Sequence, residues 1–186
     1  MRLRALCLVF VMGLCARPVV ALPIVSIEPV TSIVAPGDSF FLDINISNVE
    51  DLFGFQFDLA FDPAVLSAIT IVEGSFLSSV GESFFIPGII DNLAGTIAFT
   101  ANSLLGPIVG ASGSGTLARL NFTSTSPGTS IVSLSNVLLL DSSLFEIAAA
   151  TQDANLTSVP EPGSIVLLGT GLFAVWRGRR RFARAA

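Results

Sequence analysis

Two stretches of strict alternation constrain this chain more than any other feature. Phe40, Leu42, Ile44 and Ile46 alternate with Phe41, Asp43, Asn45 and Ser47. Phe53, Phe55, Phe57, Leu59 and Phe61 likewise alternate with Gly54, Gln56, Asp58, Ala60 and Asp62. Successive side chains of an extended chain point to opposite faces, so a period of two buries one set and leaves the other outside. Both stretches therefore read as half-buried antiparallel strands. Further strands are predicted over residues 24–34, 65–72, 83–86, 96–101, 116–123, 130–140 and 144–148. Turn chemistry separates them at Pro36-Gly37-Asp38, Asp62-Pro63, Glu73-Gly74, Pro87-Gly88, Gly113-Ser114-Gly115 and Pro127-Gly128. About nine short strands at this spacing, with helix-period stretches nearly absent, indicate an all-β antiparallel sandwich or jelly roll.

Such a fold must be held by packing alone. Cys7 and Cys15 both lie near the N-terminus, and the stretch that follows has no cysteine to cross-link it. Twelve of the 15 phenylalanines fall between Leu22 and Pro160, and the alternation sends most of them inward. Burying one phenylalanine contributes on the order of 1.5–3 kcal/mol, so this set can replace disulfides.

Charge is distributed unevenly, and the distribution excludes whole classes of function. Between Leu22 and Pro160 a single Arg, Arg119, stands against thirteen acids, a formal charge of −12. A surface of that sign repels nucleic-acid backbones and anionic lipid alike. With no His, Tyr or Lys anywhere, and Cys7 and Cys15 both near the N-terminus, this middle stretch lacks the usual general bases and the soft metal ligands.

The two ends read as address labels. Arg2 and Arg4 precede an apolar run from Ala5 to Cys15, and Val19 with Ala21 places small side chains before a cut after residue 21, as in a secretory signal peptide. The alternative is a lipoprotein leader acylated at Cys15, although Leu14 stands where that processing wants a small residue. At the far end, Gly163 to Trp176 is 14 residues without a charge, followed by Arg177, Arg179, Arg180, Arg181 and Arg184. As a helix it spans only about 21 Å, so crossing a bilayer requires thinning or help from the flanking Trp and Arg side chains. The arginines hold the C-terminus on the cytoplasmic side. Pro160 and Pro162 flank Glu161 and keep it extended and exposed just before this segment. The triplet Pro160-Glu161-Pro162, short apolar span and terminal Arg cluster, in that order, resemble the PEP-CTERM sorting signal of exosortase substrates in Gram-negative bacteria. That resemblance implies a transient inner-membrane intermediate, removal of the tail by a membrane sortase, and delivery to the cell surface or exopolysaccharide matrix. A plain tail anchor on a proline-stiffened stalk is the alternative.

The middle carries its own resemblance. Gly37-Asp38-Ser39-Phe40, Ile46-Ser47-Asn48-Val49, the run Phe55-Gln56-Phe57-Asp58-Leu59-Ala60-Phe61-Asp62-Pro63-Ala64-Val65-Leu66, and Gly115-Thr116-Leu117-Ala118-Arg119-Leu120-Asn121-Phe122 are similar, in order, to a cohesin domain. The match covers roughly Pro23 to Thr157 and implies a nine-stranded jelly roll that binds dockerins, a family associated with polysaccharide-degrading assemblies. The expected organisation is a leader over 1–21, a cohesin-like sandwich over 22–158 and a sorting segment over 159–186. The Asp62-Pro63 pair has a local physical role as well. Asp62 accepts backbone N–H groups at the turn while Pro63 fixes its φ, ending the strand and aiming Val65 and Leu66 at the core.

In cohesins the strand bearing this run contributes outward-facing residues to the dockerin surface, which here implies Gly54, Gln56, Asp58 and Ala60. Cellulosomal cohesins of the first type tend to place an Asn and an Asp where Gly54 and Gln56 stand, so this chain departs from that pattern. The same positions are also readable as a plain solvated strand face.

The rival reading is polysaccharide binding. With no Trp or Tyr in the sandwich, only phenylalanines such as Phe41, Phe84 and Phe85 are available to stack on a sugar ring. Phe84 and Phe85 are adjacent, so they face opposite ways on a strand. Catalysis is not expected. Asp58 and Asp62 lie about 13 Å apart along one strand, too far for the paired carboxylates of a glycosidase. No metal or cofactor is assigned, since Glu50-Asp51 and Asp58 lack the loop pattern of a calcium site. Asn45, Asn121 and Asn155 each head an Asn-x-Ser/Thr triplet. The expected partners are thus an exosortase-type enzyme and either a dockerin-like protein or an extracellular polysaccharide, with no nucleic acid.

Overall fold

The computed structural model describes residues 21–160 together with Thr170 and Phe173. The expected leader, Glu161, Pro162, the apolar span and the Arg cluster lie outside the described residues, apart from Ala21 and those two positions. No helix among the described residues is long and apolar enough to cross a membrane.

Among these residues are eleven strands and one short helix. In chain order they are β1 (Ile24–Glu28), β2 (Thr31–Val34), β3 (Ser39–Ala60), β4 (Leu66–Glu73), α1 (Ser75–Ser78), β5 (Ser83–Ile86), β6 (Ile89–Asp91), β7 (Thr96–Leu104), β8 (Ala111–Ser124), β9 (Gly128–Asp141), β10 (Ala150–Gln152) and β11 (Ala154–Ser158). They form a sandwich. Its first layer runs β10-β1-β3-β8-β4, and its second runs from β5 and β6 through β7-β3-β9-β11-β2.

β3 belongs to both layers. The two alternating stretches, expected as separate strands, are halves of one 22-residue strand. Its first half pairs with β1 and β8, its second with β7 and β9. The changeover lies at Asn48 and Asp51, both at φ 55°, a left-handed conformation that Asn and Asp tolerate better than most residues. Ile46, Val49 and Leu52 oppose Gly115, Gly113 and Ala111, so β3 spends three residues for every two on β8. These two bulges cancel in parity, and a third irregularity between Leu52 and Gly54 leaves the alternation in the opposite phase. Even-numbered Leu42, Ile44 and Ile46 are buried before the corner, and odd-numbered Phe55, Phe57 and Leu59 after it. The backbone N–H groups displaced from the ladder find serines: Asn48 N–H donates to Ser114 Oγ at 3.1 Å and Asp51 N–H to Ser112 Oγ at 2.9 Å.

The Gly113-Ser114-Gly115 stretch, expected as a turn, is therefore strand and grips the corner. Gly115 is required there because a Cβ would sit 2.7 Å from the Phe76 ring, which α1 packs into the core.

Three other expectations are corrected. Residues 24–34 form two strands, because the chain breaks at Pro29-Val30 and crosses from the first layer to the second. β10 and β11 make the same crossing beside them, pairing in parallel with β1 and β2, so the sandwich is not wholly antiparallel. Residues 144–148 are not a strand. Asp141 Oδ1 accepts the N–H groups of Ser143 and Phe145, which closes a turn and leaves one isolated bridge between Leu140 and Glu146.

The core is continuous between the layers. Phe122 is fully buried, stacked on Phe40 at 5.9 Å and meeting Phe61 edge-on at 5.3 Å. The Asp62 turn forms as its chemistry requires: Asp62 Oδ1 accepts Ala64 N–H at 2.9 Å, and its carbonyl accepts the N–H groups of Val65 and Leu66, both buried.

Candidate functional site

The outer face of the second layer carries Gly54, Gln56, Asp58 and Ala60 in its middle strand. Register sets two rows across four strands. Phe84, Ser103, Gly54 and Leu140 form one, and Ile86, Ala101, Gln56 and Leu138 the next. Between them lies an open groove of about 220 Å³. Gly54 is its floor and is buried despite facing outward, because the larger side chains around it stand higher. A Cβ at Gly54 would meet the backbone Asn102 O at 3.3 Å, a tight contact that asks β7 to give by a few tenths of an ångström, and Ser103 Oγ at 3.6 Å, and a larger side chain would fill the groove. Phe84, 61% exposed, forms one wall, while its neighbour Phe85 turns inward against the core.

Leu144 forms the rim. It is 67% exposed and held at φ 64°, a conformation unfavourable for a leucine. The turn that imposes it is anchored to the β3 corner: Ser142 donates from Oγ to Asp51 Oδ2 at 2.6 Å and from its N–H at 3.3 Å, while Gly110 N–H donates to Oδ1 at 2.6 Å. The Ser142 hydroxyl, then Gly110 N–H, holds the Asp51 carboxyl below its ordinary pKa. Glu50 and Asp51, weighed as calcium ligands with Asp58, are placed differently: Asp51 serves this anchor and Asp58 is hydrogen-bonded elsewhere on β3's flanks. Among the described residues no group of three or more His, Cys, Asp or Glu is arranged to hold a metal ion.

The four sequence-assigned face residues do not share one role. Gly54 and Gln56 line the groove. Asp58 stands further along, its carboxylate engaged by Phe99 N–H at 2.7 Å and Asn136 Nδ2 at 2.6 Å. Ala60 is at the far end, between Thr96 and Ser133. Ile86, Leu138, Leu140 and Leu144 went unassigned in the sequence. The available signal was Val137-Leu138-Leu139-Leu140, an unbroken apolar run where one-sided burial calls for alternation.

Phe41 lies on the opposite layer. Arg119 clamps Asp43 with two hydrogen bonds, Nε to Oδ1 at 2.6 Å and Nη2 to Oδ2 at 2.8 Å, and its guanidinium carbon stands 4.3 Å from the centroid of the Phe41 ring. One face of that ring is therefore already covered. The Asp43 contact also raises the Arg119 pKa.

Position along the sandwich matters as well. The chain leaves the fold beside Gly128, where β9 begins, while the groove lies at Leu138 and Leu140 near its end. Ten to twelve strand residues separate the two, about 33–40 Å at ~3.3 Å per residue.

Comparison with known proteins places these features. Residues 24–160 match the cohesin domain family, and residues 158–181 match the PEP-CTERM protein-sorting motif. Among solved structures the chain resembles a non-cellulosomal cohesin from the hyperthermophilic archaeon Archaeoglobus fulgidus (14% identity, TM-score 0.61, covering 77% of this chain and 96% of that one). It also resembles the sixth cohesin of Acetivibrio cellulolyticus scaffoldin B, solved with a Cel5 dockerin (22% identity, TM-score 0.61, 75% and 100%). The third ScaC cohesin of the same organism, solved with the ScaB dockerin, is similar too (18% identity, TM-score 0.60, 74% and 99%). No curated protein matches the chain.

Proposed function

The chain belongs to the cohesin family, and from that premise we propose that it is an exported, non-catalytic docking module that captures a dockerin-like protein on the outer face of its second layer. The observation that carries this reading is the groove over Gly54 and Gln56, an apolar trough walled by Phe84 and Leu138 in a domain whose formal charge is −12. Apolar side chains converging on a concave floor provide the anchor pocket of a protein interface, and the surrounding acids favour a neutral or basic partner. Gly54 and Gln56 alter the polar contacts that cellulosomal cohesins of the first type tend to make, so the partner is a dockerin-like module of different contact chemistry.

The sorting motif supports a route to the outside. A leader over 1–21 exports the chain, the tail holds it briefly in the inner membrane of a Gram-negative cell, and an exosortase-type enzyme releases residues 22–158 and what remains of the tag to the cell surface or extracellular matrix. While the tail is anchored, the groove lies at the end of the sandwich away from the membrane, which suits capture of an extracellular partner.

Calorimetric titration of the purified chain and its Gly54→Leu and Leu138→Glu variants against dockerin modules tests the reading. Binding by the unaltered chain, at least tenfold weaker in both variants while each still melts cooperatively, is the expected result. Equal binding by the variants, or no dockerin bound at all, removes it.

A further inference from the structure

The first layer's outer face carries exposed Phe41, but toward its β10 edge it is rich in polar side chains. Gln152, Ser26, Asn45 and Thr116 form one continuous row across β10, β1, β3 and β8. Together with Glu28 and Ser47 they line an open cleft of about 460 Å³, within the size range of small-ligand sites. We propose that this cleft is a second binding site, for a neutral, hydroxyl-rich glycan.

The side chains of the row are fixed before any ligand arrives. The Glu28 carboxylate accepts Ser26 Oγ–H at 3.3 Å through Oε1 and Asn45 Nδ2–H at 3.0 Å through Oε2. Asn45 Oδ1 in turn accepts Thr116 Oγ1–H at 2.8 Å. A hydrogen-bonded chain thus spans three strands and holds its members in single rotamers, lowering the ordering cost of binding. It does not exhaust them. A carboxylate has about four acceptor positions and an amide oxygen two, so Glu28 and Asn45 retain lone pairs facing the cleft. The Gln152 side chain, exposed at the end of the row, has no hydrogen-bond partner among the described residues and offers both donor and acceptor, while its backbone pairs with β1. Neighbouring strands lie about 4.8 Å apart, on the scale of a pyranose ring, so one sugar unit can address two members of the row.

The chemistry also selects against other ligands. The large apolar lining is limited to Ile24, 37% exposed at the cleft edge, and Ile46, which is buried, so the cleft has neither an aromatic nor a cluster of the apolar anchors on which protein interfaces depend. Glu28 and the net acidity of the domain repel anionic polymers, and Arg119, the domain's single base, is committed to Asp43. The open cleft sets hydroxyl, amide and carboxylate groups beside a small apolar surface from Ile24 and Ile46, which matches an uncharged polyol that presents hydroxyls beside C–H faces. Because it lies on the layer opposite the groove, a bound glycan leaves the groove open.

Native electrophoresis of the full chain through gels containing soluble dextran, glucomannan, xylan or alginate tests the proposal. At least one of the three neutral polymers should retard the chain while alginate does not. Gln152→Ala, at an exposed edge position, and Thr116→Val should weaken retardation at least tenfold, with thermal melting by circular dichroism confirming that each variant is folded. Migration unaffected by all three neutral polymers overturns the proposal, as does retardation that is equal in alginate or unchanged in folded Gln152→Ala. None of these outcomes depends on whether a dockerin binds the other layer.

Discussion

Asn136 donates from its side-chain amide to Asp58 Oδ2 at 2.6 Å, and this contact ties β9 to β3 where both strands lose register. Asn136 is at φ 49° and Phe99, on the other side of β3, at φ 59°. The Phe99 N–H donates to Asp58 Oδ1 at 2.7 Å. One carboxylate therefore staples a bulge on each flanking strand, supplying the partner that the broken ladder withholds. Asp58→Ala should cost about 1–2 kcal/mol, less than a buried charged hydrogen-bond pair because water reaches the site. Asp58→Asn, which keeps an acceptor, should cost less. Urea titration measures both, and a loss of partner binding in Asp58→Ala must be judged against that loss of stability.

Phe84 and Phe85 give an internal control for the groove. Phe84→Ala removes an exposed side chain and should change stability by no more than ~0.5 kcal/mol. Phe85→Ala removes a ring packed against the core and should cost about 2–3 kcal/mol. Partner affinity should show the reverse order, falling further in Phe84→Ala. Denaturation midpoints and titration on the same two proteins check the pair, and equal stability losses would mean that Phe84 is also part of the core.

Asp51 gives the fold an acid-sensitive joint at the groove rim. Its carboxyl is held below the ordinary value of 3.8, mainly by the Ser142 hydroxyl and the Gly110 N–H. A depressed folded pKa contributes stability that is fully present above the unfolded value and lost as pH falls through the folded one. Asp51→Asn should therefore melt below the unaltered chain at pH 7, and the gap should close as pH drops below about 3.8. Melting curves from pH 7 to pH 3 check this. A gap that persists at pH 3 would assign the defect to lost shape at the corner rather than lost charge.

Much of this architecture was legible because burial writes a period of two into the chain. Leu42, Ile44, Phe57 and Leu59 face the core as the alternation requires. What the alternation could not reveal is that its two stretches are one strand, since the link between them is a run of bulges from Asn48 to Gly54, of which those at Asn48 and Asp51 are supported by Ser114 and Ser112, about 60 residues away. The groove was half legible for a related reason. Gly54 and Gln56 follow from the strand phase, but Leu138 and Leu140 face outward, and an apolar residue on an outer face is indistinguishable in sequence from a core residue. The polar row on the opposite layer was hidden because its members come from four strands and only the register unites them.

The last described strand sets where the tail can be cut without loss of the domain. β11 runs between β9 and β2, burying Ala154, Leu156 and Ser158. Ser124 and Ser158 share a buried hydroxyl pair at 2.6 Å, and Val159 N–H donates to Val34 O at 2.9 Å. Only Pro160, already exposed, separates that last backbone bond from Glu161. A chain ending at Val159 keeps every one of these contacts and should melt within about 2 °C of one that retains the tag, since a stability change below ~0.5 kcal/mol shifts the midpoint little in a domain of this size. A chain ending at Asp153 loses Leu156 from the core, leaves β2 without its β11 partner and opens a long edge on β9. Burial of one leucine alone contributes about 1.5–3 kcal/mol against a total of about 5–15 kcal/mol, and the lost backbone pairing adds to it. That shorter chain should melt far lower or without cooperativity. Calorimetry of the two truncations separates a strand integral to the sandwich from a strap that merely leads to the tag, and equal melting would assign β11 to the tag.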